Sequence, residues 1–114
     1  MELEKTLKAL GDSNRLRILN LVMQGELCVC EIEEILGLSQ TNVSRHLNRL
    51  SVAGILKSRK NAQWVYYRIN DDFMGEHPML VEYLALSFEK IDSCRLDTER
   101  LKNKLATGTL LHCR

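Results

Sequence analysis

Residues 28–54 read CVCEIEEILGLSQTNVSRHLNRLSVAG, and this stretch decides the fold. Ile32, Ile35 and Leu36 fall on one helical face, and Val43, Leu47 and Leu50 on another, with Ala53 extending the second stripe. Between the two periods stand Gly37, which stops the first helix, and Ser39, which caps the second. The first helix opens near Cys28, with Glu31 three residues on as a capping-box partner. Helix, tight turn, helix is the spacing of a helix-turn-helix. Its second helix keeps Gln40, Thr41, Asn42, Ser44, Arg45, His46 and Arg49 outside the apolar stripe, where they can meet a ligand.

Upstream, Leu3, Leu7 and Leu10 predict a short amphipathic helix ended by Gly11. Asp12 or Ser13 then caps a second helix with Leu16, Leu19, Val22 and Met23 on one stripe, ending at Gly25. Downstream, ILKSRK and QWVYYRIN flank a polar break, with aromatic and β-branched residues at period two; they predict a β-hairpin with Lys60 and Asn61 at its tip and Arg59 and Gln63 on its shoulders. After the acidic break NDDFMGEHP, Pro78 opens a helix through Leu80, Val81, Leu84, Leu86, Phe88 and Ile91. The segment from Arg95 continues as helix through Leu101 and Leu105 to Gly108. The apolar positions after Pro78 exceed one narrow stripe, so a second copy of the chain is expected to cover the excess. The expected fold is mainly α with a small β-hairpin, a winged helix-turn-helix in the order α-α-α-α-β-β-α, homodimeric. Residues 1–114 are expected to form one domain, with N- and C-terminal dimerisation helices.

The 114 residues carry 16 Lys+Arg against 15 Asp+Glu, and that near-neutral total conceals a strong segregation. Residues 1–34 hold 7 acids and 4 bases, residues 35–70 no acid and 6 bases, and residues 71–114 hold 8 acids and 6 bases. Arg45, Arg49, Lys57, Arg59, Lys60 and Arg68 therefore make a positive face that coincides with the helix-turn-helix, which points to nucleic acid. On that face Arg45 suits guanine, and Gln40 and Asn42 suit adenine, with His46 on or near base edges or on a phosphate. Ser39 and Thr41, with the free N–H groups of the helix start, suit phosphate, and Arg59, Lys60 and Arg68 reinforce backbone or minor-groove binding. Trp64, Tyr66 and Tyr67 are expected to pack the sheet.

An enzyme is not expected. Asp71, Asp72, Glu76 and His77 cluster at a break between elements, without a nucleophile or a glycine-rich loop. No run of eighteen apolar residues and no secretory leader is visible, so a cytoplasmic location without membrane partners is expected, and the four cysteines read as thiols rather than a disulfide framework. With Cys28 at the non-helical cap, its sulfur and that of Cys30 can turn toward one point near a helix start, where thiolates are stabilised and soft ions bind. Two sulfurs leave such a site incomplete, so Cys94, Cys113 or another group is required. A ligand drawing the pair together would distort the cap and tilt the adjoining recognition helix.

The stretches RLRIL and GELCVCEIEEILGLSQTNVSRHLNRLSVAGILKSRKNAQWVYYRIN resemble the ArsR/SmtB family of winged-helix metalloregulatory repressors, in particular its arsenical-responsive branch, over about residues 11–70. The resemblance implies a homodimer built on the first and last helices, bound to double-stranded operator DNA, which releases it when cysteine thiolates bind arsenite or another soft thiophilic ion; no organic cofactor is implied. Resistance or efflux genes are then derepressed. The branch's arsenic motif has two cysteines one apart and a third three residues later. Cys28 and Cys30 match the first two, and Glu33 stands at the third. Cys94 is the first candidate to complete the site and Cys113 the second. The zinc-sensing branch's Asp-x-His and His-x-x-Glu pairs have no counterpart among His46, His77 and His112. The alternative is a redox or reactive-sulfur response, with a disulfide or polysulfide joining Cys28 or Cys30 to Cys94.

Overall fold

The computed structural model describes residues 1–108; Cys113 and His112 lie outside the described residues. Its elements run α1 Glu2–Leu10, α2 Ser13–Val22, β1 Leu27–Cys28, α3 Val29–Leu36, α4 Gln40–Val52, β2 Leu56–Asn61, β3 Trp64–Ile69, α5 Asp71–Glu76, α6 Pro78–Phe88 and α7 Asp92–Thr107. This is a winged helix-turn-helix with an antiparallel β2–β3 hairpin. The order is richer than α-α-α-α-β-β-α in three places. A two-residue strand precedes α3, the acidic break contains the short helix α5 capped by the Asn70 side chain, and the region after Pro78 is two helices with a turn at residues 89–91.

Local chemistry sets the boundaries. Asp12 caps α2 by accepting the N–H groups of Asn14 (2.9 Å) and Arg15 (3.1 Å). The Arg15 N–H, above all, holds the Asp12 carboxyl below the ordinary carboxylate range. Gly37 ends α3 in the left-handed conformation (φ 67°), donating its N–H to the Glu33 carbonyl. A Cβ there is strained, which is why glycine holds the turn into α4. Ser39 caps α4 by accepting the N–H of Asn42 at 3.2 Å. At the hairpin tip the two-residue connection is Ala62–Gln63, between the paired residues Asn61 and Trp64, so the turn lies two residues beyond the expected Lys60–Asn61.

The core gathers Ile18, Leu19, Leu21 and Val22 of α2, Ile32 and Ile35 of α3, and Val43, Leu47 and Leu50 of α4, with Ile55 and Leu56 beneath the sheet. Helix α2 is buried on more than the predicted stripe, because α4 and α7 both pack on it. The α7 contact is polar at its centre. Arg17 donates through Nε (2.8 Å) and Nη2 (2.9 Å) to the two oxygens of Asp97, whose carboxylate is fully buried. Asn20 beside it donates to the Cys94 carbonyl (3.1 Å) and to Thr98 Oγ1 (3.2 Å). Large apolar side chains nevertheless remain exposed: Leu3 and Leu7 on α1, Met79, Tyr83 and Leu86 on α6, and Leu96 and Leu105 on α7. No helix among the described residues is long and apolar enough to cross a membrane.

A buried charge stripped of its partner is expensive, whereas the intact pair is close to neutral in net effect. Arg17→Ala, which strips the buried Asp97 carboxylate of its bidentate partner and leaves only Arg100 at 3.8 Å, is therefore expected to destabilise the fold by about 3 kcal/mol, read as a lowered urea midpoint with an unchanged m-value.

Candidate functional site

Helix α4 lies with Val43, Leu47 and Leu50 inward, and Gln40, Thr41, Asn42, Arg45 and Arg49 exposed, with Ser44 half-buried among them. Two internal hydrogen bonds hold this face in order. Gln40 Nε2 donates to Ser44 Oγ (3.0 Å), and Arg45 Nη2 donates to Asn42 Oδ1 (3.1 Å). The structure separates His46 from this set. At 6% exposure it faces the body of the protein, because its place on the helix is one turn from both Val43 and Leu50. Its Nδ1 lies 3.3 Å from Arg15 Nη1.

On the wing, Lys57, Lys60 and Gln63 are exposed, whereas two of the expected DNA-facing arginines already have carboxylate partners. Arg68 meets Asp71 at 3.2 Å. Arg59 is gripped by Glu26, with Nε and Nη2 donating at 2.7–3.0 Å, and its guanidinium stacks 4.5 Å over the Tyr66 ring. Glu26 was not among the residues the sequence singled out, since its partner is 33 positions away.

Strand β1 explains why that arginine matters. It pairs with β3 on the edge opposite β2, in the order β1-β3-β2, with Cys28 opposite Tyr66 and Tyr66 opposite Arg59. Directly opposed residues in antiparallel strands project on the same face. Cys28, Tyr66 and Arg59 are thus one cross-strand row running from the thiol to the wing, and Cys28 packs on Tyr66 with Cys30 and Trp64 around them.

Cys28 is also the N-cap of α3. Its backbone N–H donates to Oε1 of the fully buried Glu31 at 2.9 Å, and its extended backbone (φ −88°, ψ 163°) lets the sulfur turn toward Cys30. The two Sγ atoms stand 2.8 Å apart. Beside them is a cleft of about 230 Å³ whose walls include Cys28, Cys30, Glu33, Gln40, Gln63 and Trp64. It joins the start of α3, the first residue of α4 and the turn of the wing. Glu33 does border the pair, but among the described residues no group of three metal-ligating side chains forms.

Cys94 is not brought to the pair within one chain. It lies in the first turn of α7, packed into the main core at 2% exposure, whereas Cys28 belongs to the separate cluster with Tyr66. Burial, with Asp97 adding to it, pushes the Cys94 thiol up from its ordinary value, and so away from the thiolate that binds soft ions.

Residues 12–58 match the family described as bacterial regulatory protein, arsR family. The chain is 47% identical over 98 residues to the arsenic resistance transcriptional regulator ArsR2 of Pseudomonas putida, covering 84% of this chain and 83% of that protein. It is 50% identical over 66 residues to ArsR1 of the same organism, a match that spans 57% of this chain and about half, 52%, of that relative. Among solved structures it resembles the homodimeric winged helix-turn-helix DNA-binding domain of a possible ArsR-family regulator from Mycobacterium bovis, with a TM-score of 0.65, 32% identity, and coverage of 74% of this chain and 78% of that one.

The burial of His46 has a measurable consequence. Desolvation pushes the imidazole down from its ordinary 6.5; Arg45, Arg15 and Arg49 add to the shift and Asp12 opposes it. The unfolded chain then takes up this proton first as pH falls below about 6.5, so stability that is full above that value is lost toward the folded-state pKa. Thermal unfolding between pH 7 and pH 5 should show a steeper fall for the wild type than for His46→Asn. Parallel curves would remove His46 as the group responsible.

Proposed function

Because the chain belongs to the ArsR/SmtB family of winged-helix DNA-binding transcriptional regulators, we propose that it is a repressor that holds double-stranded operator DNA as a homodimer and releases it when the Cys28–Cys30 pair binds arsenite or another soft thiophilic ion. The observation that carries this reading is the cleft in which Cys28 and Cys30 stand beside the first residue of the recognition helix and the turn of the wing. The exposed face of α4 supports base contacts by Gln40, Asn42 and Arg45, and phosphate contacts by Ser39, Thr41, Ser44 and Arg49. Lys60 joins them from the wing, and Arg59 and Arg68 do so by exchanging a carboxylate for a phosphate. The uncovered leucines of α1 and α7, with Met79, Tyr83 and Leu86 of α6, favour a second copy as their cover.

Arsenite or a soft divalent ion supplies bonds to sulfur strong enough to reposition the backbone that carries it. Cys28 converts that pull into movement of both reading elements. It is the cap of α3, which packs on α4, and it is the strand partner of Tyr66, which carries Arg59. Glu33 is a poor third donor for arsenite, whose preference is for three sulfurs. Cys94 supplies one only if the first turn of α7 leaves the core, and Cys113 is the other candidate. A second reading keeps the same sulfurs as the sensor but has an oxidant or reactive sulfur species join Cys28 or Cys30 to Cys94 by a disulfide or polysulfide.

Operator binding by the reduced protein, titrated separately with arsenite, Cd, Pb, Zn and a polysulfide, tests these readings. Arsenite should weaken the wild-type complex at least about tenfold, the 1.4 kcal/mol of a modest allosteric coupling, and should leave Cys28→Ser and Cys30→Ser bound. Release that persists in both serine variants would overturn the thiol mechanism. Release that survives Cys94→Ser removes Cys94 as third donor, and release by polysulfide alone selects the second reading.

A further inference from the structure

Three nitrogens of one guanidinium meet three different acceptors at the junction of α1, α2 and α4. Arg15 Nε donates to the Ala9 carbonyl at 2.6 Å, Nη2 to the Lys8 carbonyl at 3.2 Å, and Nη1 approaches His46 Nδ1 at 3.3 Å. The two carbonyls belong to the last turn of α1, and that of Lys8 also accepts the N–H of the cap residue Gly11 at 3.3 Å. Arg15 is itself anchored at the start of α2, its N–H held by Asp12 Oδ1.

Arginine can only donate, so Nδ1 must accept, and His46 is therefore the neutral tautomer protonated on Nε2. Its burial, with Arg15, Arg45 and Arg49 near it, works in the same direction, against Asp12. His46 lies on the recognition helix between Arg45 and Leu47, so the side chain next to an exposed reading residue is fixed to the end of α1. That helix turns Leu3 and Leu7 outward.

We propose that Arg15 is a positioning residue for operator recognition: its guanidinium locks the recognition helix, through His46, to the end of the N-terminal helix, and so sets the angle and distance between the two reading helices of a dimer. This rests on the reading above, in which α1 contributes to the contact between copies. Two half-sites are engaged together only if the recognition helices stand about one DNA turn, ~34 Å, apart. A fault in the joint then costs binding to two half-sites and spares binding to one. Lysine cannot replace Arg15, because one ammonium on a flexible stem lacks the planar fork that reaches three separate acceptors.

The test uses the full chain and a duplex carrying two inverted half-sites, selected from random DNA with the wild-type protein, beside the same duplex with one half-site scrambled. Arg15→Ala, Arg15→Lys and His46→Leu should each bind the two-site duplex about tenfold more weakly, the scale of one charge-assisted hydrogen bond, with less than about a twofold change on the single site. His46→Asn places an amide oxygen near the position of Nδ1 and should recover most of the loss. Arg15→Ala combined with His46→Leu should be no worse than Arg15→Ala alone. Equal weakening on both duplexes would mark Arg15 as merely stabilising the fold and overturn the proposal, as would no weakening on either. Sedimentation of the wild type separates the two readings. A monomer, or a chain that selects no duplex, overturns the repressor reading and this proposal together, whereas a dimer bound normally to two half-sites with Arg15→Ala overturns the proposal alone.

Discussion

The register of a two-residue strand constrains everything around the thiol pair. Leu27 and Cys28 pair with Tyr67 and Tyr66, and this short ladder fixes where α3 begins, which way the Cys28 sulfur points and how the hairpin sits against the helices. Shifting the pairing by one residue would send every side chain to the opposite face of the sheet. Leu27 would leave the core and Cys28 would leave Tyr66. Such a short strand has little stability of its own. It persists because both its side chains are buried and because Glu31 satisfies the N–H of Cys28 from within the protein.

Elsewhere the parts are joined by directional polar contacts set into apolar packing. Arg17 and Asp97 fix the docking of α7 on α2, Asn20 adds the Cys94 carbonyl and Thr98, and Asn70 donates to the Gly54 carbonyl where the hairpin meets α5. Apolar packing alone allows helices to slide by a fraction of a turn. A bidentate arginine pair admits one register. The C-terminal helix is thereby held as part of the same body as the helix-turn-helix, although its outer face is rich in uncovered leucine.

What the sequence disclosed follows from the range of the interaction concerned. The helix-turn-helix was legible because its signals are local: two apolar periods, Gly37 in the left-handed region, and Ser39 accepting an N–H three residues on. Cys28 as a cap with Glu31 was equally local. Strand β1 was not legible, since two residues carry no periodicity. The break between α6 and α7 was also hidden: Glu89, Lys90 and Ile91 include neither glycine nor proline, and only the extended backbone of Ile91 marks the start of the next helix. The burial of His46 is not legible because its partner Arg15 is 31 positions away, and the Glu26–Arg59 pair is concealed by a similar distance. The burial of Cys94 belongs to the same class, set by α2 rather than by its own neighbours.

The grip of Glu26 on Arg59, and of Asp71 on Arg68, means that two arginines of the wing hold counterions supplied by the elements beside it. On a polyanion each bare cation contributes to nonspecific affinity by releasing condensed salt, and a cation already neutralised by a tethered carboxylate contributes little until that carboxylate lets go. Among the described residues Lys57, Lys60, Arg45 and Arg49 are exposed and make no such ion pair, so the six-base stretch offers four bare cations. Nonspecific affinity, and its dependence on salt, is correspondingly smaller than the count of bases suggests. In the proposed reading, the two guarded arginines engage DNA only where the fit of the recognition helix brings a phosphate close enough to compete with a carboxylate 2.7 Å away at Arg59 and 3.2 Å away at Arg68.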